Sequence, residues 1–195
     1  MHKILHRINS KELLMKTPFE FGVEVDIRSN NNKLIMHHDP FQEGELFEEW
    51  LSFYKHGTLI LNVKEEGLED SLLKLMKRNN INNFFFLDQS FPFLRKTALS
   101  GEKRCAVRIS EYEHIKTALS LSGLIEWAWI DCFTDFPLNS KDQKLLKDAG
   151  FKLCIVSPEL QGRKDRNHVL EFQSKLESLD IFGDAVCTKY PDLWN

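Results

Sequence analysis

The sequence predicts a single α/β domain, a compact (β/α)8 TIM barrel spanning residues 1–195. Eight apolar, strand-like runs alternate with amphipathic, helix-like stretches, a pattern typical of a parallel sheet. No linker, internal repeat or low-complexity tract divides the chain. A doubly wound open sheet has a similar alternation, but it places a glycine-rich turn after its first strand, and none occurs here. Since such barrels rarely have fewer than ~200 residues, the loops must be short.

Each element is predicted from its periodicity and its end signals. The strands are predicted at 3–8, 21–28, 58–64, 83–88, 104–109, 126–132, 152–157 and 184–188, with a short pairing segment at 33–37. The helices are predicted at 10–16, 43–55, 67–79, 91–99, 111–122, 140–149 and 165–179. Ser140 is predicted to cap the sixth helix, and Gly150 to end it.

Composition excludes several classes of function. A net charge of −3 offers no basic surface for nucleic acid. No apolar run approaches the ~20 residues of a membrane span, and no signal region is recognised at the start of the chain, so we expect a cytoplasmic protein. The four cysteines contain no C-x-x-C pair, which argues against a zinc site and favours reduced, buried thiols.

The second strand carries two acidic side chains on one face. Glu24 and Asp26 alternate with Val23, Val25 and Ile27, so both carboxylates project from the same side of the strand. Like charges held side by side repel unless a cation or a shared proton neutralises them. Oxygen ligands suit a hard ion, so the pair predicts one divalent cation, Mg²⁺ or Ca²⁺. Taken alone, an acidic alternation is more often the solvated face of an edge strand.

Two histidines and an arginine lie beside this pair in the predicted fold. His6 and Arg7 end the first strand, and His38 follows the hairpin extension of the second. In a barrel, the carboxyl ends of the strands meet at one mouth, where active sites form. Histidines titrate near neutral pH, so one can accept a proton while the other donates one. Together these residues predict a metal-assisted phosphoryl-transfer site.

The order of these motifs resembles the glycerophosphodiester phosphodiesterase family, within the phospholipase-C-like barrel group. His6-Arg7, Glu24-x-Asp26 and His38-Asp39-Pro40 follow one another as the family's His-Arg-Gly, Glu-x-Asp and His-Asp-Pro do. Gln89-Ser90-Phe91 and the closing segment 187–194 are similar to later family motifs, so the resemblance covers nearly the whole chain.

The resemblance implies roles for further residues. Arg7 and Lys64 match residues that bind and stabilise the phosphate, and Asn62 stands where the family places a third acidic metal ligand. An amide in that place implies a weaker metal site. Two more departures are Ile8, in place of the glycine of His-Arg-Gly, and Lys189, in place of an acidic or amide residue. The family's usual insertion after His-Asp-Pro is also missing.

Arg108 and Lys189, at the ends of the fifth and eighth predicted strands, could add positive charge for the phosphate, or could simply be solvated strand ends. The leading hypothesis is a metal-dependent phosphodiesterase that cleaves a small, glycerophosphodiester-like substrate, with His6 and His38 as acid and base. Attack by water, or by a substrate hydroxyl to give a cyclic phosphate, both remain open. The alternative is a non-catalytic barrel that binds a phosphodiester through a weakened metal site.

Overall fold

The computed structural model describes residues 1–194 and shows eight parallel strands alternating with helices. The parallel strands are β1 (His2–Leu5), β2 (Gly22–Asn30), β5 (Leu59–Val63), β6 (Phe84–Leu87), β7 (Ala106–Ile109), β8 (Trp127–Ile130), β9 (Lys152–Val156) and β10 (Ala185–Thr188), and the short strands β3 (Lys33–Met36) and β4 (Glu45–Leu46) extend β2. The helices are α1 (Lys11–Lys16), α2 (Phe47–Leu51), α3 (Glu69–Arg78), α4 (Phe91–Leu99), α5 (Ile115–Leu119), α6 (Ser140–Asp148) and α7 (Arg166–Ser178), with a 3₁₀ turn at Pro158–Gln161.

The predicted α/β class and the parallel strand order are confirmed. Parallel ladders join β5 to β2, β2 to β1, and then β1, β10, β9, β8 and β7 in turn, while β6 pairs with the free side of β5. The antiparallel β2–β3 hairpin turns through Asn31 and Asn32, both with positive φ, the conformation that tight two-residue hairpins require. The sheet therefore curls until β6 and β7 face each other.

At this junction, which we call the seam, the ladder is reduced to one bridge. Phe86 pairs with Cys105, and the Phe86 amide donates to the Arg104 carbonyl at 2.8 Å. The structure is thus a curled eight-stranded sheet, and the predicted closed barrel is not confirmed at the seam. Beyond the bridge, side chains rather than backbone hydrogen bonds connect the two strands. Arg108, from β7, forms an ion pair with Asp88, which directly follows β6.

Apolar side chains fill both faces of the curled sheet. Ile4, Ile60, Phe85 and Trp127 pack inside it, with the last two rings stacked at 4.5 Å. A larger cluster lies between the strands and the helices. Glu24 pairs in register with Ile60, so it points inward, because neighbours in register share a face of the sheet. The acidic pair therefore belongs to the interior.

Two local predictions were wrong. The helix predicted at 43–55 is a strand followed by a short helix, since Glu45 and Leu46 extend the antiparallel sheet along Met36 and Ile35. The cap of α6 is Asn139, not Ser140. The Asn139 side chain accepts from the Asp142 amide at 3.0 Å, and the Asp142 carboxylate accepts from the Asn139 amide in return.

We expect Arg108→Met to lower the free energy of unfolding by roughly 2–4 kcal/mol, because it leaves a buried carboxylate without its cation. Arg108 Nη1 donates to Asp131 at 2.8 Å, and that carboxylate is only 1% exposed. Urea denaturation followed by circular dichroism measures the change.

Arg78→Met is the matched control, since its ion pair with Glu48 is exposed on both sides. We expect this control to change stability by less than about 1 kcal/mol. Equal unfolding midpoints for the two variants would show that the seam does not depend on Arg108.

Candidate active site

The acidic pair of β2 is completely buried. Glu24 and Asp26 are both 0% exposed and point into the curled sheet near its carboxyl-terminal mouth. Glu24 Oε2 accepts from the Arg7 amide at 2.7 Å, and Glu24 Oε1 accepts from Asn62 Nδ2 at 2.7 Å. Arg7, two residues after the end of β1, has a φ of 57°, and this turn of the chain directs its amide towards the carboxylate. Each oxygen of Glu24 therefore has one protein donor.

Asn9 orients the second carboxylate. Its Nδ2 donates to Asp26 Oδ2 at 2.7 Å, and its Oδ1 accepts from the Asp26 amide at 2.9 Å. Two cations flank the same carboxylate, with Lys64 Nζ 3.4 Å from Oδ1 and Arg7 Nε 3.7 Å from Oδ2. Sequence reasoning missed Asn9. An amide two residues after a strand-end arginine was the available signal, but its partner could not be read from spacing.

Burial and mutual repulsion dominate the electrostatics of the pair. Burial, and then the charge of Asp26, raises the pKa of Glu24 to about 7, although the hydrogen bonds from Asn62 and the Arg7 amide act in the opposite direction. Near neutral pH, part of the protein therefore carries a proton on Glu24. The chain's own cations do not remove the repulsion between the two carboxylates.

The donor set fits a hard divalent cation. Asp26 Oδ1 and Asn62 Oδ1 are buried atoms with no hydrogen-bond partner, and their residues are register neighbours on β2 and β5. Oxygen donors of this kind suit Mg²⁺ or Ca²⁺. Within residues 1–194, no group of three or more His, Cys, Asp or Glu side chains is placed to hold a metal. The candidate ligands are therefore two carboxylates and one amide, a set of low charge.

His6 stands beside the acidic pair. Its Nε2 lies 3.9 Å from Glu24 Oε2, and its Nδ1 is buried without a partner. Burial, followed by the positive charges of Arg7, Lys189, Lys64 and His38, lowers the pKa of His6 to about 3. The ring is therefore neutral at physiological pH and can accept a proton.

His38 is more exposed, with 40% of its side chain accessible. Its Nδ1 lies 2.8 Å from Asp39 Oδ1, and its carbonyl accepts from the Arg28 guanidinium at 2.9 and 3.2 Å. These contacts fix the backbone and the ring orientation. His38 is the smallest of the causes that lower the pKa of His6, which indicates that the two rings interact electrostatically.

The predicted phosphate-binding residues differ in their exposure and in the ion pairs that they form. Arg7 is 41% exposed, and Lys189 is also exposed. Lys64 Nζ lies between Asp26 and Asp88, 3.1 Å from the latter, and Arg108 contacts both Asp88 and Asp131. The structure thus engages Lys64 and Arg108 in close ion pairs, whereas Arg7 contacts Asp26 only through Nε, at 3.7 Å, and Lys189 is exposed.

Four residues missed by sequence reasoning complete the mouth. Asp88 and Asp131 directly follow β6 and β8, the kind of strand-end position that singled out Lys64 and Arg108, so they could have been found. Gln161 donates to Asp131 at 2.6 Å. Buried Glu159 accepts from Thr188 Oγ1 at 2.6 Å and from the Lys189 amide at 2.8 Å, which fixes the end of β10.

The remaining predictions concern side chains away from the centre. Ile8, in place of the family's glycine, is buried in the outer apolar cluster, so its side chain does not enter the site. The four cysteines are buried and free, as expected. Among the described residues, no helix is long and apolar enough to cross a membrane.

The fold is similar to that of solved glycerophosphoryl diester phosphodiesterases. Two structures from Agrobacterium tumefaciens C58, the first described as putative, are 12% and 13% identical to this chain, both with a TM-score of 0.69. They cover 98% and 99% of this chain and 94% and 97% of their own. A structure from Parabacteroides distasonis is 12% identical, with coverages of 98% and 84% and a TM-score of 0.66.

No protein-family model matches the sequence, and no curated protein matches it. At 12–13% identity, the structural likeness shows a common fold. The resemblance inferred from the motifs is confirmed at that level.

We expect the carboxyl of Glu24 to titrate near pH 7 in chelator-treated protein, and Asp26→Asn to lower that pKa while leaving it above the ordinary value of 4.5. The neighbouring charge disappears, but burial, the larger cause, remains. Carbon-13 NMR of the Glu24 carboxyl measures both values. An unchanged titration in Asp26→Asn would contradict the coupling.

The stability of the metal-free protein follows from the same shift. A raised pKa means that the folded state binds more protons than the unfolded state between pH 4.5 and about 7. The contribution of Glu24 to stability is therefore present below this window and is lost as the pH rises through it.

Proposed function

We propose that this protein is a phosphodiesterase that cleaves a small phosphodiester with the help of a divalent cation. The observation that carries the proposal is the fully buried pair of Glu24 and Asp26 at the mouth shared with His6 and Arg7. Two adjacent buried carboxylates destabilise the core of a protein, so their presence at this mouth indicates a chemical role. The common fold with glycerophosphoryl diester phosphodiesterases supports the same class of reaction.

Glu24, Asp26 and Asn62 would hold the cation, Mg²⁺ or Ca²⁺. When bound, such an ion polarises a phosphoryl oxygen and stabilises the charge that develops on it. The Arg7 side chain is partly exposed beside Asp26 and can bind two phosphate oxygens at once, and the exposed Lys189 adds a second cation. Lys64 and Arg108 act from within their ion pairs, where they offset part of the negative charge of Asp26, Asp88 and Asp131.

The two histidines divide the proton transfers. His6 is neutral, so its Nε2 is the candidate to take the proton of the attacking hydroxyl, although the positive charges that lower its pKa also make the ring a weaker base. His38, oriented by Asp39, is the candidate to protonate the departing alkoxide. Two nucleophiles fit this arrangement, a water molecule or a neighbouring hydroxyl of the substrate.

A non-catalytic phosphodiester-binding protein is the second candidate. The observation that favours it is Asn62, an amide already bonded to Glu24 where a third carboxylate would strengthen metal binding. An assay on bis(p-nitrophenyl) phosphate with Mg²⁺, Ca²⁺ or a chelator, followed by a panel of natural diesters, separates the two. Cation-dependent release of p-nitrophenol supports the enzyme, and binding without turnover across the panel supports the alternative.

Closure of the sheet into a complete barrel and a cytoplasmic location stay predictions.

We expect His6→Ala and His38→Ala each to lower kcat by about 10²–10⁴, because each removes a positioned proton-transfer group. The double variant should lose far less than the product of the two factors, since the residues act as a unit. Steady-state kinetics on the natural diester measures the losses. His168→Ala, on the exposed face of α7, is the control and should retain full activity. A fully active His38→Ala enzyme would refute the assignment.

We expect Asn62→Glu to tighten divalent-cation binding by roughly tenfold or more, since it adds a full negative charge beside the ion. Isothermal titration calorimetry with Mg²⁺ and Ca²⁺ measures the affinity, and circular dichroism checks the fold. Asn82→Glu adds the same charge at an exposed position outside the mouth and should leave the affinity unchanged. The double variant Glu24→Ala/Asp26→Ala should lose binding. Equal affinities for Asn62→Glu and Asn82→Glu would place the ion elsewhere.

A further inference from the structure

A cleft opens at the seam, beside the candidate active site. Its volume is about 770 Å³, and it lies between the loop after β6 with helix α4 on one side and β7 with the start of α5 on the other. We call it the seam cleft, and its walls include Asp88, Ser90, Leu94, Val107, Glu113 and Thr117. It forms where β6 and β7 share only the bridge between Phe86 and Cys105.

The seam cleft adjoins the mouth of the candidate active site through Asp88 and Arg108, which both line its wall. Asp88 belongs to its wall, and Lys64 Nζ lies 3.1 Å from Asp88 Oδ2 and 3.4 Å from Asp26 Oδ1. Asp88 also has a φ of 59°, a conformation that is strained for a residue with a side chain. A ligand anchored at the acidic pair therefore has an open volume next to it, in the direction of Asp88.

The cleft offers both hydrogen-bond donors and acceptors. Gln89 Oε1 and Ser90 Oγ, two atoms of its wall residues, are buried and have no partner in the protein. Ser90 precedes α4, yet its hydroxyl makes no capping hydrogen bond. Glu113 Oε1 and Arg108 Nε are 3.9 Å apart, too far for a hydrogen bond, so one acceptor and one donor remain free along the wall of the cleft.

These groups suit hydroxyls better than an ammonium, because a hydroxyl both donates and accepts, whereas an ammonium only donates. Leu94 and Val107 supply an apolar floor, and Phe91 and Tyr112 are exposed at the rim. A volume of 770 Å³ lies within the range of roughly 300–1,000 Å³ found for pockets that hold ring-sized ligands. A three-carbon alcohol would leave most of it empty.

We propose that the seam cleft binds a polyhydroxylated ring, a sugar-like alcohol esterified to the phosphate of the substrate. This inference rests on the proposed phosphodiesterase function and names the substrate class that the site selects. Hydroxyls of the ring contact Ser90, Glu113 and Arg108, and its apolar face packs on the aromatic rim.

Direct binding tests the cleft without any turnover. Nitrogen-15 NMR of the labelled full chain, titrated with glucose, glycerol or ethanolamine, reports on the backbone amides of Ser90, Tyr112 and Thr117. We expect glucose to move these signals more than either other compound. Larger shifts with ethanolamine, or glucose shifts confined to other parts of the chain, would overturn the proposal.

Kinetics tests whether the esterified ring uses the same cleft. The substrates are p-nitrophenyl phosphodiesters whose second alcohol is methanol, glycerol or the 6-hydroxyl of glucose. We expect kcat/KM to be highest for the glucose diester. Thr117→Phe fills the cleft from the exposed side of α5. It should lower the ratio of kcat/KM for the glucose diester to kcat/KM for the methyl diester by about tenfold. Ser90→Ala should lower the same ratio by roughly fivefold, as expected for one hydrogen bond.

Ser174→Phe is the matched control, since it places the same ring on the exposed face of α7. Its ratio should equal that of the wild type, and an equal loss in Ser174→Phe and Thr117→Phe would overturn the proposal. The failures are distinguishable. Glucose shifts in the cleft without hydrolysis of any diester would leave the cleft standing and reject the enzyme. Hydrolysis of the diesters at equal kcat/KM, with no glucose shifts in the cleft, would support the enzyme and reject the cleft as a binding site for the ring.

Discussion

The burial of two adjacent carboxylates is the constraint on which the mouth of this protein depends. Glu24 and Asp26 lose all contact with water, and an unpaired buried charge costs several kcal/mol or more. The chain responds with the Arg7 amide and Asn62 on one carboxylate, and with Asn9, Lys64 and Arg7 on the other. The pKa of Glu24 nevertheless stays high, so the protein alone does not balance the pair. The excess of negative charge is what a divalent cation would neutralise.

Ion pairs that begin at the acidic pair also connect the two sides of the seam. Lys64 reaches from Asp26 to Asp88, and Arg108 reaches from Asp88 to Asp131, so alternating charges cross the junction where the backbone ladder nearly stops. Arg7, beside Asp26, and Asp88, between Lys64 and Arg108, both have positive φ. Strained backbone of this kind persists where neighbouring contacts over-determine it. The ion pairs therefore stabilise the curled sheet and shape the seam cleft together.

The site, rather than the fold, carries the functional argument. One fold hosts many reactions, and 12–13% identity to solved phosphodiesterases does not transfer an activity. What argues for phosphodiester chemistry is the set of side chains at one mouth: a buried acidic pair, a neutral His6, a second histidine and the partly exposed guanidinium of Arg7. Asn62 gives Glu24 a hydrogen-bond donor, whereas a carboxylate at the same position would add negative charge to the pair.

The sequence by itself determined the α/β class, the order of the parallel strands and the placement of Glu24 and Asp26 on one face of the second strand. These depend on local periodicity, since alternate residues of a strand share a face and parallel strands end at one edge. Only the tertiary structure decided that Asn9 orients Asp26, that Arg108 lies between Asp88 and Asp131, and that the sheet parts at the seam. Such pairings join residues from separate loops and strands, and their distances depend on strand register and sheet curvature, which no local pattern in the chain specifies.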